Sequence, residues 1–394
     1  MIVQFSIKNY RSIKAEIVIS MLAGANTELE NELIVIDGKK QHRLVRVASI
    51  YGANAAGKSN VLLAMQTLQD MVMGKSAQLL KDKPLPYDPF AFDDNGPQTP
   101  TEFGVIYYYN GIKYEYSFAY NQERIVSESL YHWPNGREAE IFSREGYAYS
   151  FKENQKEQQT LAGRTPNNRL YLVSSNEWNS PQTELAYKWF TEKLTPFDSH
   201  AKTDATITLL KDKTSNYPSL VRIIRAFLQA DLGIVDFSIV DPSGTPSVWV
   251  THQSKNDKGE RRFELPLEQE STGTQRFFAR IGPWLNALEK GGILFVDELE
   301  GSMHPLLTRQ LIRMIQDPEI NTNNAQLIFT THDVTLLDLS LLRRDQIWFA
   351  EKDPDTLGTD IFSMWDFSVR KDENIQRGYL LGKYGAIPFI GGDL

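Results

Sequence analysis

Residues 52–59, GANAAGKS, carry two glycines, a lysine and a serine in the spacing GxxxxGK(S/T). In a loop of this kind, successive backbone N–H groups and the N-terminus of the following helix face an anion, and glycine lets the backbone approach it closely. Lys58 then neutralises charge on the outer phosphates of a nucleotide, and the Ser59 hydroxyl ligates Mg²⁺. A purely structural turn needs neither side chain. The pattern therefore predicts a phosphate-binding loop.

Two carboxylates, Asp297 and Glu298, follow the apolar stretch ILFV at 293–296. An acid at the tip of a buried strand beside a phosphate loop can hold Mg²⁺, directly or through water. A second acid next to it can polarise an attacking water as a general base. Taken alone, the pair fits two solvated carboxylates at a strand end equally well. The phosphate loop upstream favours the catalytic interpretation.

Two further segments carry weaker signals. His332 follows the apolar strand in the stretch LIFTTHD and lies 34 residues after Glu298, although a single histidine after a strand is more often structural than catalytic. Ser271 predicts the N-cap of a helix, and Gly273 lets an anion approach that helix N-terminus. Capped helices are common in proteins, so this stretch by itself is weak evidence for an anion site. The other histidines lack a metal-ligand spacing such as HExxH, and we interpret them as structural or surface residues.

Hydrophobic periodicity predicts the elements that position these residues. Residues 44–51 read as a strand before the loop, and the helical pattern after it runs from about 58 to 73. A long helix is predicted over about 272–290. The uniformly apolar stretches before Asp297 and His332 read as strands, which suit a central sheet covered on both faces.

The remaining segments predict the surrounding lobes. Residues 100–150 read as an antiparallel β-meander with a hairpin turn at Asn110-Gly111. The stretch NRLYLVSS, 168–175, reads as a strand, and 183–195 and 216–231 read as helices. Heptads are not sustained over several periods, so we expect no long coiled coil.

Three parts are expected along the chain. Residues 1–150 form an N-terminal lobe with the phosphate loop and the meander. Residues 151–265 form a helical insertion. Residues 266–394 form a C-terminal lobe with the helix cap, the acidic pair and His332. We therefore predict an α/β protein.

Composition excludes several kinds of site. Hydrophobic residues make up 41% of the chain and charged residues 23%, as in an ordinary globular protein. Cysteine is absent from the sequence, which excludes disulfides, cysteine-bound zinc, iron–sulfur clusters and thiol nucleophiles. The opening residues lack the apolar core of a signal peptide, and no stretch approaches the roughly 20 apolar residues that span a bilayer. We expect a cytoplasmic protein without a membrane partner. A net charge of −8 disfavours autonomous nucleic-acid binding without excluding a local basic groove.

With these motifs in this order, the chain resembles the ABC-class ATPase heads of the SMC, Rad50, RecF and OLD kind. GANAAGKS is similar to their Walker A motif and ILFVDE to their Walker B motif. STGTQ, 271–275, resembles a degenerate signature motif, and TTHD resembles the switch-histidine loop. The resemblance implies an ABC-type head with a mixed central sheet, an antiparallel meander lobe, a helical insertion and no long coiled coil.

The chain also resembles AAA-type ATPases of bacterial phage-defence loci. These are of the Rlo and abortive-infection (AbiL-like) type and are related to ATPases of the PARIS and Septu systems. The stretches that carry this likeness are ESTGTQR, VDELEGSMHP, LLRRDQIWFAEKD and YLLGKYGAIP.

These resemblances imply a site that uses ATP and Mg²⁺. Two heads would sandwich two ATP molecules, with Lys58 and Ser59 of one subunit facing STGTQ of the other. Glu298 would activate water, and His332 would sense the γ-phosphate. Because STGTQ departs from the usual SGGQ, turnover is expected to be slow. The implied nucleotide-binding residues are Arg11, Gly52, Ala53, Asn54, Ala55, Ala56, Gly57, Lys58, Ser59, Asn60, Ser271, Thr272, Gly273, Thr274 and Gln275, and the implied Mg²⁺ ligands are Ser59 and Asp297.

The function implied by the resemblance is a nucleotide-gated sensor or scaffold in antiphage defence. It would form a homodimer through the ATP sandwich, or a higher homo-oligomer, and control a separately encoded effector, a nuclease or toxin. A RecF-like DNA repair clamp is the alternative, and the acidic net charge of −8 argues against it. A P-loop module that binds nucleotide only for assembly is a third possibility, against which Glu298 argues.

Overall fold

The computed structural model describes residues 1–36, 43–74, 83–93, 96–195, 203–211, 233–240, 246–256, 259–301, 303–367 and 373–388. In chain order, the strands are β1 Ile2–Lys8, β2 Ile17–Ser20, β3 Ile34–Val35, β4 Arg43–Leu44, β5 Val47–Gly52, β6 Thr101–Tyr109, β7 Ile112–Tyr120, β8 Ile125–Trp133, β9 Ala139–Glu145, β10 Ala148–Phe151, β11 Ile234–Val240, β12 Ser247–Asn256, β13 Gly259–Pro266, β14 Ile293–Val296, β15 Gln326–Thr330, β16 Ile347–Lys352 and β17 Thr359–Ser363. The α-helices are α1 Lys58–Met73, α2 Gln155–Ala162, α3 Tyr171–Glu177, α4 Glu184–Glu192, α5 Thr203–Lys211, α6 Thr272–Lys290, α7 Pro305–Gln316 and α8 Ile375–Leu380.

The central sheet has the strand order β14-β15-β5-β16-β17. Strands β14, β15, β5 and β16 run parallel, and β17 is antiparallel to β16. Every residue of β5, β14 and β15 is buried, as their uniformly apolar sequences predict for a sheet covered on both faces. Parallel strands end at the same edge of a sheet. The segments that follow β5, β14, β15 and β16 therefore meet there.

Strand β5 shows how each face of the central sheet joins a different core. Ala48 and Ile50 pack into the cluster shared with α1 and the large antiparallel sheet. Val47 and Tyr51 point the other way, into the cluster shared with α6 and α7. This alternation follows from the period of two along a strand. The central sheet is thus packed between two apolar layers, which fix the edge where the segments after its parallel strands meet.

The predicted meander lies in a second, antiparallel sheet of order β10-β9-β8-β7-β6-β1-β2. Strand β1 joins it by pairing with both β2 and β6. At the tip of the β6–β7 hairpin, Asn110 and Gly111 have φ angles of 50° and 78°. Positive φ at both central residues is what the favoured two-residue hairpin turn requires. A third sheet, of order β11-β12-β13, precedes α6.

The strand predicted at 168–175 is wrong, because residues from Tyr171 onward form helix α3. The carboxylate of Glu128 accepts the backbone N–H groups of Tyr171 at 2.6 Å and of Leu172 at 2.9 Å. Those N–H groups have no partner inside a helix, and a carboxylate at the N-terminus stabilises one. A contact with β8, distant in sequence, therefore overrides the local strand preference.

The helix predictions otherwise agree where they can be compared. The region 183–195 contains α4, and 272–290 contains α6. The helix predicted at 216–231 lies outside the described residues.

The predicted α/β fold class, with a mixed central sheet and an antiparallel meander lobe, is confirmed. Over the described residues no long coiled coil is present. Within that part of the chain, no helix combines the length and the apolar character needed to cross a membrane. The division into 1–150, 151–265 and 266–394 stays a prediction.

Candidate functional site

The loop between β5 and α1 has a backbone that only glycine allows at its last position. Gly57, the residue before α1, has a φ of 96°, in the region that L side chains rarely adopt. A Cβ placed on it would lie 2.0 Å from Thr359 Oγ1 and 2.6 Å from Ser12 Oγ. The loop therefore fits against both the N-terminal lobe and β17 at this glycine.

Lys58 is held inside this loop. Its side chain is buried, and its ammonium donates to the carbonyl oxygens of Gly52 and Ala53, both at 2.9 Å. Burial lowers the pKa of Lys58, and the carboxylates nearby, Asp297 first, oppose that shift. The loop backbone thus holds the Lys58 ammonium in a position from which it can pair with an anion bound in the loop.

Ser59 and Asp297 are brought together across 238 residues of sequence. The Ser59 hydroxyl donates to Asp297 Oδ1 at 3.0 Å. The Thr330 hydroxyl, at the end of β15, donates to the same oxygen at 2.5 Å. A hydroxyl and a carboxylate are oxygen ligands of the kind that Mg²⁺ prefers. The predicted metal ligands are therefore adjacent.

Glu298 projects from a strained turn just beyond β14. Its φ is 47°, and its N–H donates to Thr330 Oγ1 at 2.8 Å. The side chain is 64% exposed, and its Oε1 lies 3.8 Å from His332 Nε2. A non-glycine residue held at positive φ costs free energy and is often found at functional sites. The turn directs the second carboxylate away from Asp297 and towards His332.

Glu300 is a residue of the site that the sequence interpretation missed. Its Oε1 accepts the backbone N–H of His332 at 2.8 Å, and its Oε2 accepts the Thr331 hydroxyl at 2.7 Å. These two bonds tie the His332 loop to the segment after β14. The only signal in the sequence is its position two residues after Glu298, which by itself does not reveal the contact.

The sequence interpretation also missed Ser12 and Thr359, whose hydroxyls bond to the phosphate loop and to the start of α1. Their hydroxyls lie 2.7 Å apart. The Thr359 hydroxyl donates to the Ala56 carbonyl at 2.9 Å, and the Asn60 amide donates to Ser12 Oγ at 2.7 Å. The start of α1 is thus bonded to two segments that are remote in sequence.

A cavity of about 560 Å³ opens above these groups. Its lining residues are Ser12, Asn54, Ala55, Gly57, Lys58, Ser59, Asn60, Asp297, Glu298, Thr330, His332 and Lys352. The buried ammonium, the glycine backbone and the hydroxyl–carboxylate pair fit a nucleotide phosphate chain with Mg²⁺. Over the described residues there is no group of three or more His, Cys, Asp and Glu side chains that fits a metal ion.

Of the predicted loop residues, Gly52, Ala53 and Ala56 line a neighbouring cavity instead. Two further sets of predicted residues line neither cavity. The Arg11 guanidinium pairs with Asp88 at 3.3 Å. The STGTQ segment starts helix α6, where the predicted N-cap is found, because Ser271 Oγ accepts the Thr274 N–H at 3.1 Å. The side chain of Gln275 donates to backbone carbonyls of its own segment. Within one chain, these residues therefore stand apart from the phosphate loop.

Substitution of Gly57 tests the fit of the loop. We expect Gly57→Ala to lower the free energy of unfolding by about 2–5 kcal/mol, from positive-φ strain and overlap with Thr359, and to remove nucleotide binding. Gly74→Ala is the matched control, because Gly74 ends the same helix at a φ of 63° with nothing within 4 Å of its Cβ position. It should cost about 1–2 kcal/mol, from positive-φ strain alone, and keep nucleotide binding. Equal losses in chemical denaturation would contradict the close fit at Gly57.

Comparison with solved structures shows several similar chains. The SMC head domain from Thermotoga maritima is 13% identical, with a TM-score of 0.43, over 92% of this chain and 98% of that chain. An SMC head bound to the C-winged helix domain of ScpA is 13% identical, with a TM-score of 0.45, over 92% and 97%. An SMC head with an extended coiled coil, bound to the C-terminal domain of ScpA derived from Pyrococcus furiosus, is 11% identical, with a TM-score of 0.42, over 93% and 97%. No curated protein sequence matches the chain.

The family comparison finds one matching family. Residues 47–338 match the family described as AAA domain, putative AbiEii toxin, type IV TA system. This range begins with β5 and includes the phosphate loop, the Asp297–Glu298 pair and His332. It spans well over half of the 394 residues. The chain therefore belongs to this AAA ATPase family.

Proposed function

We propose that the protein is a Mg²⁺-dependent ATPase of the ABC class that acts in antiphage defence. ATP-bound copies form a sensor or scaffold that controls a separately encoded effector, a nuclease or toxin. The observation that carries the ATPase assignment is the 3.0 Å contact between Ser59 and Asp297. It joins a phosphate-loop hydroxyl to a strand-end carboxylate, with Glu298 and His332 next to it.

The roles of the residues follow from their positions. Lys58 offsets charge on the outer phosphates, and Ser59 and Asp297 provide the protein ligands for the metal. When bound, Mg²⁺ offsets the charge that develops on the transferred phosphoryl group. Glu298 accepts a proton from water as the water oxygen bonds to the γ-phosphorus and the bond to the ADP oxygen breaks. His332, whose Nε2 lies 3.8 Å from Glu298 Oε1, would contact the γ-phosphate.

The STGTQ segment is proposed to complete the site of a second copy. Ser271 and Thr272 are exposed at the N-terminus of α6, where free N–H groups and the helix dipole favour an anion. Neither lines the cavity of its own chain. In the proposed dimer, the α6 N-terminus of each chain faces the γ-phosphate held by the other chain. This arrangement accounts for the exposure of Ser271 and Thr272 and for their absence from the cavity of their own chain.

The defence role is supported by the family description, which names a putative toxin of a type IV toxin–antitoxin system. The meander and helices α2 to α4 are proposed to bind the effector, because the ATPase site lies at the edge of the central sheet and leaves them available. We propose a cytoplasmic location for this assembly. Binding of nucleic acid is not favoured at a net charge of −8.

The test is the native mass of the Glu298→Gln protein, purified with its neighbouring gene products, with and without ATP and Mg²⁺. We expect a nucleotide-dependent oligomer that carries a second protein, whose identity names the effector. A nucleotide-dependent dimer without a partner contradicts the scaffold role. DNA binding that weakens steeply with salt would then favour a repair clamp.

A charge at the α6 N-terminus tests the sandwich. In the Glu298→Gln background, we expect Thr272→Glu to keep the protein monomeric with ATP and Mg²⁺, because its carboxylate repels the γ-phosphate held by the second copy. Thr160→Glu is the control, since Thr160 is an exposed threonine on α2. Light scattering that shows the same ATP-dependent dimer for both variants would exclude this interface.

A further inference from the structure

Phe92 is an exposed aromatic side chain next to the phosphate cavity. It is 62% exposed, whereas Phe90, two residues earlier, is fully buried. The two rings pack edge-on with their centroids 5.8 Å apart, so Phe90 anchors the segment that presents Phe92. A single exposed apolar side chain is ordinary on a protein surface. Whether the exposure of Phe92 indicates a binding site therefore depends on the residues around it.

Lys352 connects Phe92 with the cavity. Lys352 is part of the cavity lining, and its Nζ lies 5.8 Å from the centroid of the Phe92 ring. Its backbone pairs with Thr359, whose hydroxyl donates to the Ala56 carbonyl in the phosphate loop. The exposed Phe92 ring therefore lies beside Lys352, which is part of the cavity wall. Lys352 is linked in turn, through Thr359, to the phosphate loop.

The position of the catalytic groups indicates which way a bound nucleotide points. Glu298 and His332 act on the terminal phosphate, so that phosphate lies at their end of the cavity. The remainder of the nucleotide extends away from them. Apart from the phosphate loop and the start of α1, Ser12 and Lys352 are the lining residues that belong to neither the acidic segment nor the segment from Thr330 to His332. The nucleoside leaves the cavity on this side, where Phe92 is exposed.

We infer that Phe92 stacks on the nucleobase of the bound nucleotide, with Lys352 between the ring and the phosphates. This inference rests on the proposed nucleotide site and names the surface that holds the base. Stacking tolerates any base, because every base presents a π face. Binding of ATP and of GTP is therefore expected to depend on Phe92 to a similar degree.

A second cavity offers a competing place for the base. It has a volume of about 1050 Å³ and shares Asn54, His332 and Lys352 with the phosphate site. Its outer wall includes Leu380, which is 59% exposed, and Ile387. The exposed side chains of this wall are aliphatic, and the ring of Tyr379, which also lines the cavity, is buried. Phe92 offers an exposed, flat aromatic face, so we favour Phe92. A variant at Leu380 separates the two positions.

The experiment compares ATP with inorganic triphosphate by calorimetry in the presence of Mg²⁺. We expect Phe92→Ala to weaken ATP binding about tenfold, as for loss of one base–aromatic stack, and to leave triphosphate binding unchanged. Phe92→Trp should restore ATP affinity. Phe263→Ala is the matched control, because Phe263 is also an exposed phenylalanine but lies on β13. It should bind both ligands as the parent does.

Each other outcome has a definite meaning. Equal ATP affinity in Phe92→Ala and the parent overturns the assignment of Phe92 while leaving the phosphate site intact. The same holds if Phe92→Ala weakens both ligands equally, or if Leu380→Ala selectively weakens ATP. A parent protein that binds neither ATP nor triphosphate overturns the proposed function itself.

Discussion

Replacement of Glu298 by glutamine is expected to lower the rate of ATP hydrolysis by about 10²–10⁴-fold, the range for loss of a general base. The amide keeps the size of the side chain and its hydrogen-bonding capacity but does not take a proton from water at neutral pH. ATP binding should persist, because the contacts of Lys58 and Ser59 do not involve Glu298. Trapped ATP should therefore favour the oligomer. Phosphate release and equilibrium ATP binding measure the two parts separately.

The control for this substitution is Glu145→Gln, which removes an exposed carboxylate at the end of β9, far from the cavity lining. It should hydrolyse ATP at the parent rate. A Glu298→Gln variant that also turns over at the parent rate would remove Glu298 from the role of base. The hydrolysis would then have to depend on another group near His332.

Replacement of Lys58 by alanine is expected to abolish measurable ATP binding. A hydrogen bond to a charged group is worth about 1.5–3 kcal/mol, and each 1.4 kcal/mol is a factor of ten, so one such bond accounts for a loss of about 10- to 10²-fold. The ammonium already bonds to the Gly52 and Ala53 carbonyls, so its removal also frees the loop backbone that it positions. Calorimetry with ATP and Mg²⁺ measures the change.

Folding must be checked in the same variant, because Lys58 is 5% exposed. The thermal midpoint of Lys58→Ala should stay near that of the parent, since desolvation already lowers the pKa of this lysine and makes its charge costly to bury. Lys188→Ala removes an exposed lysine on α4 and should leave ATP affinity unchanged. Parent-like ATP affinity in Lys58→Ala would contradict the assignment of a phosphate loop.

The motifs themselves were predictable from the sequence, because their chemistry lies in contiguous residues. The phosphate loop needs Gly57, Lys58 and Ser59 in succession after a strand and before a helix, and these local elements are found. Asp297 and His332 each follow a buried apolar strand. In the structure these strands run parallel, so the segments that follow them meet at one edge of the sheet.

Prediction from local residue preference was wrong where a group distant in sequence stabilises a different structure. The stretch that includes Tyr171 and Leu172 has strand-like residues but forms α3, because Glu128 on β8 accepts both N–H groups. The partner of Arg11 is equally non-local: its guanidinium contacts Asp88, 77 residues away. No window of sequence around either site contains the carboxylate that decides its structure.

The phosphate-loop motif, the acidic pair and the α/β class can be read from the amino-acid order, because they depend on local spacing and hydrophobic period. Which further side chains complete the site depends on how the chain packs in three dimensions. Ser12 meets Thr359 across 347 residues, and Ser59 meets Asp297 across 238. Such contacts depend on the order β14-β15-β5-β16-β17 and on the pairing of β17 with β16. Strand order is a property of the packed sheets and of their shared core, which no single segment specifies.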